Sequence, residues 1–168
     1  MKILETQRLL LRHFVISDLD DLFAFYSDPE VIKYIPDAPR TYEETREEVE
    51  WFLNGHPKFP ELGLWATLYK ETGQFIGRCG LLPWTIDEQH EVEVAFALSK
   101  KHWGQGLATE AAGALVQYGF ENLQLSRLIC LIDHDNKASI HVATKIGMTF
   151  EKESKDEYGP FLVYATNK

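Results

Sequence analysis

Near the middle of the chain an alternating segment runs into a glycine-bearing turn, which opens into a long stretch of helical periodicity. The segment is Glu91-Val92-Glu93-Val94-Ala95-Phe96-Ala97-Leu98, and its period of two is that of a strand with unlike faces. The turn is Trp103-Gly104-Gln105-Gly106, followed by Leu107-Ala108-Thr109-Glu110 at the start of the helix. A strand that passes through so short a turn leaves the amides of the first helical turn aimed at whatever lies above it. The positive end of the helix dipole points the same way, so the natural guest is an anion, most often a phosphate. Glycine suits the turn because a side chain would hold a ligand away from the backbone. Lys100, Lys101 and His102 add positive charge at its mouth.

Two nucleotide-binding patterns fit this turn poorly. Gly104-x-Gly106-x-x-Thr109 lacks the third glycine of a dinucleotide fingerprint and lies too far along the chain for a leading βαβ unit. No Gly-Lys-Ser/Thr of a P-loop occurs.

At 168 residues the chain has the length of one domain, residues 1–168, and enough apolar sequence to bury a core. Its formal net charge of −9, from 17 basic and 26 acidic residues, argues against nucleic acid as a partner. An acidic surface instead tolerates cations such as amines or basic peptides. Cys79 and Cys130 make no disulfide framework. Met1 to Glu5 lacks the apolar run of a signal peptide, and no stretch approaches the ~20 apolar residues of a membrane span. The expectation is a cytoplasmic protein with no membrane partner.

No internal repeat or Ser/Gly linker divides the chain. Thr6 to Phe14 reads as a leucine-rich strand; Ser17 then caps a helix carrying Leu19, Leu22, Phe23 and Tyr26 at helical spacing. Asp28-Pro29-Glu30 reads as a second helix start, Thr41-Tyr42-Glu43-Glu44 as a capping box, and Asn54-Gly55 as a stop. Leu64–Tyr69 and Gln74–Leu81 form a hairpin, and Leu82 to His90 reads as irregular. The helix after the glycine turn runs to about Asn122. Leu125–Asp133 is a strand, Asn136 to Gly147 a capped short helix, and Phe150–Tyr158 and Phe161–Thr166 a closing hairpin. The order is mixed: a helical arm, an antiparallel part, one βαβ unit and a terminal hairpin.

Two further groups carry chemistry. Asn136 fits an N-cap and so places Ser139 in the electropositive first turn of its helix; capping alone is the plainer reading of that pattern. Neighbouring Asp133, His134 and Asp135 suit no familiar metal-ligand spacing, and a solvated loop with no metal is expected. Glu91 and Glu93 share one strand face, along which Ala95 and Ala97 leave space above the sheet. Surface placement suits Glu91, whereas Glu93 lies farther towards the glycine turn.

In order and spacing these pieces resemble the GNAT superfamily of N-acetyltransferases, in particular its branch of ribosomal-protein N-terminal (alanine/serine) acetyltransferases. Leu4-Glu5-Thr6-Gln7-Arg8-Leu9-Leu10-Leu11-Arg12 and Ser27-Asp28-Pro29-Glu30-Val31 resemble the leading strand and helices. Phe75-Ile76-Gly77-Arg78-Cys79-Gly80-Leu81 resembles the central hairpin, and Trp103 to Ala112 the pyrophosphate loop. Asn136-Lys137-Ala138-Ser139 with Lys145-Ile146-Gly147-Met148 resembles the second cofactor motif. The wider superfamily begins its loop with Gln or Arg; Trp103 is usual in this branch.

The resemblance implies an α/β fold with a central mixed sheet, splayed in the middle and carrying helices on both faces. It implies acetyl-CoA as co-substrate, its pantetheine along Ala95-Phe96-Ala97-Leu98 and its diphosphate on Trp103-Gly104-Gln105-Gly106-Leu107-Ala108-Thr109. Asn136, Ser139 and Lys145 complete the expected cofactor site. The activity implied is acetyl transfer to a primary amine, on a protein N-terminus or a small molecule, by direct attack. Glu93 is the expected base, and Ser139, Tyr158 or Tyr164 the expected acid. At pH 7 a lysine amine is about 0.04% neutral and an α-amine about 14%, so the acceptor decides how much a base must do. A non-catalytic acyl-CoA sensor would carry the same loop, and the chain is expected as a monomer or homodimer. Ile35–Arg40 and the acidic helix Glu43–Glu50 are expected to border the acceptor, with Trp51, Phe52 and Trp84 as core.

Overall fold

The computed structural model describes residues 1–168. In chain order the elements are β1 (Lys2–Glu5), β2 (Leu9–Arg12), α1 (Leu19–Tyr26), α2 (Tyr42–Phe52), β3 (Gly63–Tyr69), β4 (Gln74–Ile86) and β5 (Gln89–Leu98). There follow α3 (Leu107–Glu121), β6 (Arg127–Ile132), α4 (Lys137–Lys145), β7 (Thr149–Asp156) and β8 (Gly159–Asn167). All eight strands share one sheet in the order β1-β2-β3-β4-β5-β6-β8-β7. Every neighbouring pair is antiparallel except β5 and β6, which the crossover helix α3 connects in parallel. The fold is the mixed, two-faced sheet expected of a GNAT protein.

Two of the four helices begin where a side chain satisfies a free amide; α1 starts from Asp18 without a side-chain cap, so the expected Ser17 cap is not made. Thr41 caps α2, and the Glu44 carboxylate returns to the Thr41 amide, closing a capping box. Asn136 Oδ1 accepts the Ser139 amide at 3.2 Å and so starts α4. The two faces of the sheet then differ. On one, α3 and α4 bury Leu107, Ala111, Leu115 and Ala143 against Trp65, Leu81, Val94, Leu98 and Leu128. On the other, α1 and α2 bury Leu22, Phe25, Val49 and Phe52 against Leu64, Ala66 and Ala95.

Three further local expectations are corrected. The single strand Thr6–Phe14 is instead part of a hairpin, β1 pairing with β2 around Thr6–Arg8. Asp28-Pro29-Glu30 starts no helix, because the Asp28 carboxylate binds the Glu30 amide at 2.9 Å and the chain continues in successive turns. The segment Leu82–His90 is not irregular. β4 runs on to Ile86, where a two-residue turn, Asp87 (φ 47°) and Glu88 (φ 65°), leads straight into β5. Positive φ at both positions is the twist a tight hairpin requires, here without the glycine or asparagine that normally announces it.

Candidate active site

The parallel partners β5 and β6 meet at one register position only, Glu93 opposite Ile129. Beyond it the strands part, so the β6-facing edge of Val94 to Leu98 has no ladder partner. Two side chains bond there: the Cys130 thiol donates to the Val94 carbonyl at 3.5 Å, and the Trp103 indole to the Leu98 carbonyl. The Phe96 amide and carbonyl and the Leu98 amide therefore face a cleft that opens towards the glycine turn, while the backbone groups of Ala95 and Ala97 are turned to β4.

At that turn Gly104 (φ 71°) and Gly106 (φ 76°) adopt the left-handed conformation. A Cβ at Gly104 would meet nothing within 4 Å, and one at Gly106 only the Arg8 guanidinium at 3.6 Å. Backbone conformation, not packing within the protein, is what demands glycine here. None of the six amides from Gly104 to Thr109 donates a hydrogen bond within the protein; the first to do so is Glu110, to the Gly106 carbonyl at 3.0 Å. Six adjacent free donors at the positive end of a 15-residue helix form a nest of the kind that suits an anion. Trp103 anchors the turn by donating its indole N–H to the Leu98 carbonyl at 2.7 Å.

The turn has a brace that its local sequence does not reveal. Arg8, from the β1–β2 hairpin, donates to the Gln105 carbonyl at 2.9 Å and to the Glu110 carboxylate at 2.7 Å. Glu110 also takes the Arg8 amide and the Thr6 hydroxyl. These bonds join residues about a hundred positions apart, and no short-range pattern reports them. The expected positive mouth is weaker than its residues suggest: Lys100 is paired with Glu30, and His102 shares a hydrogen bond with Ser99 at 2.8 Å.

The two carboxylates of β5 are separated by their partners. Glu91 is gripped by Arg127, which donates to both its oxygens and also to Glu151, so Glu91 is an ion-pair member. Glu93 has no cation in contact; it accepts the Trp84 indole N–H at 2.6 Å. Burial pushes its carboxyl up to about 7, against the opposing influence of the Trp84 bond and the Arg78 charge. Arg78 is itself buried and points from β4 onto the same face, donating to the Tyr26 hydroxyl at 3.1 Å. That hydroxyl donates in turn to Glu48 of α2 at 2.7 Å. Arg78, Tyr26 and Glu48 were not anticipated as members of the site, because nothing in their local sequence links them.

Beside this network lies a cavity of about 480 Å³, walled by the loop Pro36–Arg40, by Glu44, Glu47, Glu48 and Trp51 of α2, and by Tyr158. The expected border of Ile35–Arg40 and α2 is found there. Of the three aromatic residues expected in the core, only Phe52 is buried; Trp51 is 55% exposed on the cavity and Trp84 holds Glu93. Tyr158 stands at the β7–β8 turn, also exposed. Ser139 sits in the first turn of α4, and Lys145 at the other end of that helix, exposed. Tyr164 packs with the α3 and α4 core, on the sheet face away from Glu93, its ring 5.9 Å edge-on from Phe150.

A split parallel pair, an amide nest at a helix start and a carboxylate at the split are the parts expected of an enzyme that works on a phosphate-bearing carrier. The chain belongs to the GNAT acetyltransferases: the family model described as "Acetyltransferase (GNAT) domain" matches residues 8–149. It is 38% identical over 162 residues to the protein YkkB of Bacillus subtilis (strain 168), covering 96% of this chain and 93% of that one. It is 33% identical over 154 residues to the N-acetyltransferase p20 of Bacillus licheniformis, covering 91% and 84%. Its fold superposes with a TM-score of 0.83 on the GNAT-family acetyltransferase from Bacillus anthracis, at 27% identity, covering 99% of this chain and 98% of that chain. The protein is an acetyl-CoA-dependent acetyltransferase.

Proposed function

We propose that the protein moves the acetyl group of acetyl-CoA to a primary amine by direct attack, with Glu93 as general base. The observation that carries this is the position of Glu93: an unpaired carboxylate where β5 and β6 part, with its protonation poised near neutrality. Acetyl-CoA supplies the activated acyl group as a thioester. The amides of Gly104 to Thr109 hold its diphosphate, and the open edge of Val94–Leu98 aligns the pantetheine so that the thioester carbonyl meets a backbone N–H of Val94–Phe96. Glu93 takes the proton released when the amine attacks, directly or through one water. Ser139 and Tyr158 are the candidate donors to the departing thiolate, a minor role since a thiol of pKa near 8.5 leaves readily.

Direct attack is supported by the cysteines. Cys79 and Cys130 are both buried, and burial raises both thiols, so neither is fit to form an acyl-enzyme. The deciding experiment is thiol release from acetyl-CoA across a panel of primary amines, with E93Q beside the wild type. E93Q is expected to lower kcat at least a hundredfold, the lower end of what a general base supplies, while leaving acetyl-CoA affinity unchanged. Full turnover by E93Q across pH 6–9 would remove Glu93 from the mechanism.

A further inference from the structure

The turn that carries the amide nest takes its support from the opposite end of the chain. We propose that Arg8 is a positioning residue for the acyl carrier: by pinning the Gln105 carbonyl it holds the nest in its binding shape, and so sets the preference for an acyl donor with a diphosphate over one without. This rests on the reading that the amides of Gly104 to Thr109 hold the diphosphate, and adds what makes them ready to do so.

Gln105 sits between two glycines in the left-handed conformation, Gly104 at φ 71° and Gly106 at φ 76°. Glycine reaches many other backbone states at little cost, so a residue flanked by two of them is not fixed by its own sequence. Packing does not fix it either. Gly104, Gln105 and Gly106 are all exposed, and a Cβ at Gly104 would meet nothing within 4 Å. Hydrogen bonds must therefore hold the turn. The Trp103 indole secures its upstream end, and the Gln105 side chain bonds locally to the Lys101 carbonyl at 3.1 Å. Arg8 Nη1, donating to the Gln105 carbonyl at 2.9 Å, is the one side-chain bond that reaches the turn from a distant element.

Arg8 can act as a fixed point because it is itself held. Its Nε donates to Glu110 Oε2 at 2.7 Å, so one guanidinium spans the nest from Gln105 to the residue just past the last free amide. The other oxygen of Glu110 takes the Arg8 amide at 2.8 Å and the Thr6 hydroxyl at 2.6 Å. The Arg8 carbonyl accepts the Lys70 amide at 2.9 Å, and Leu9 beside it is fully buried in the core. Two bonds at fixed angles from one planar group are what arginine supplies and lysine does not. The pair has a second effect of the same sign. Glu110 is an anion in the first turn of α3, close to where a diphosphate is to sit, and Arg8 neutralises it. A nest ordered before its ligand arrives loses less freedom on binding, and that difference appears in affinity for the carrier.

Two acetyl donors separate this role from a general structural one: acetyl-CoA, and S-acetyl-pantetheine, the same thioester without the diphosphate. R8A is expected to raise KM for acetyl-CoA about tenfold, the loss expected for one charge-assisted hydrogen bond, with little change in kcat at saturation. The ratio of kcat/KM for acetyl-CoA to that for acetyl-pantetheine should fall by the same factor, because the second donor does not use the nest. R8K keeps the charge but has one nitrogen for two acceptors, and is expected to recover only part of the ratio. An unchanged ratio in R8A, an equal loss on both donors, or full recovery in R8K overturns the assignment and leaves acetyl transfer standing. Should R8A fail to fold, R8K alone decides, and a wild-type ratio there overturns it. If no amine releases thiol, the transfer reading fails, and calorimetry of CoA and of pantetheine judges Arg8 separately. CoA binding weakened in R8A with pantetheine binding unmoved sustains the role; equal CoA affinity in R8A and wild type, or no CoA binding in either, overturns it.

Discussion

Glu93 is the residue on which environment has most effect. A carboxyl whose folded pKa stands near 7, against an ordinary 4.5, binds more protons folded than unfolded across that interval. The sign follows: stability contributed by its protonated form is full below pH 4.5 and is lost as pH rises to about 7. The loss is up to about 3 kcal/mol, so E93Q should melt higher than wild type at pH 8 and close to it at pH 4. Thermal unfolding at the two pH values checks this. The catalytic consequence runs the other way, because only the ionised form is a base; kcat should fall on the acid side of pH 7. Trp84 tempers the shift through its hydrogen bond. W84F should therefore move the acid limb of the kcat profile upward by about one pH unit, the worth of one hydrogen bond to a charged group. A limb that stays in place would show that the indole does not reach the base in solution.

Among the elements, the glycine turn with α3 was the most legible, because its period change and its glycines are local signals. The capped starts of α2 and α4 were legible for the same reason: Thr41 with Glu44, and Asn136 with Ser139, act within one helical turn. What stayed hidden is what spans the fold. The Arg8–Glu110 brace, the Arg78–Tyr26–Glu48 network and the aromatic wall of the cavity join distant segments. The β4–β5 turn was missed for a different reason: Asp87 and Glu88 adopt positive φ with side chains that do not advertise it. Substitution of the turn gives a direct test. G106V forces a β-branched residue to φ 76°, a conformation costing about 1–2 kcal/mol even for simpler side chains. Affinity for CoA, measured by calorimetry, should fall about tenfold or more; an unchanged value would refute the assignment of the diphosphate to this loop.

At the scale of the whole molecule, the mixed sheet with two different faces was legible from the order of the elements, and its parting was implied by family resemblance rather than by any residue. The sequence of β5 reads the same whether or not a neighbour is paired along its length. Its unpaired edge is nevertheless measurable. Alternate amides between Val94 and Leu98 should exchange readily in the free protein and slow markedly when CoA is added. Hydrogen exchange read by mass spectrometry on this segment reports it; equal exchange in both states would mean that the ligand makes no strand-like contacts there.

The lone Glu93–Ile129 pairing has a mechanical corollary. Were two leaves of sheet joined at one rung to move, that rung would be the fulcrum, and a point on the pivot is displaced least. Any widening or narrowing of the aperture would then reposition the far ends of the strands while Glu93 keeps its station.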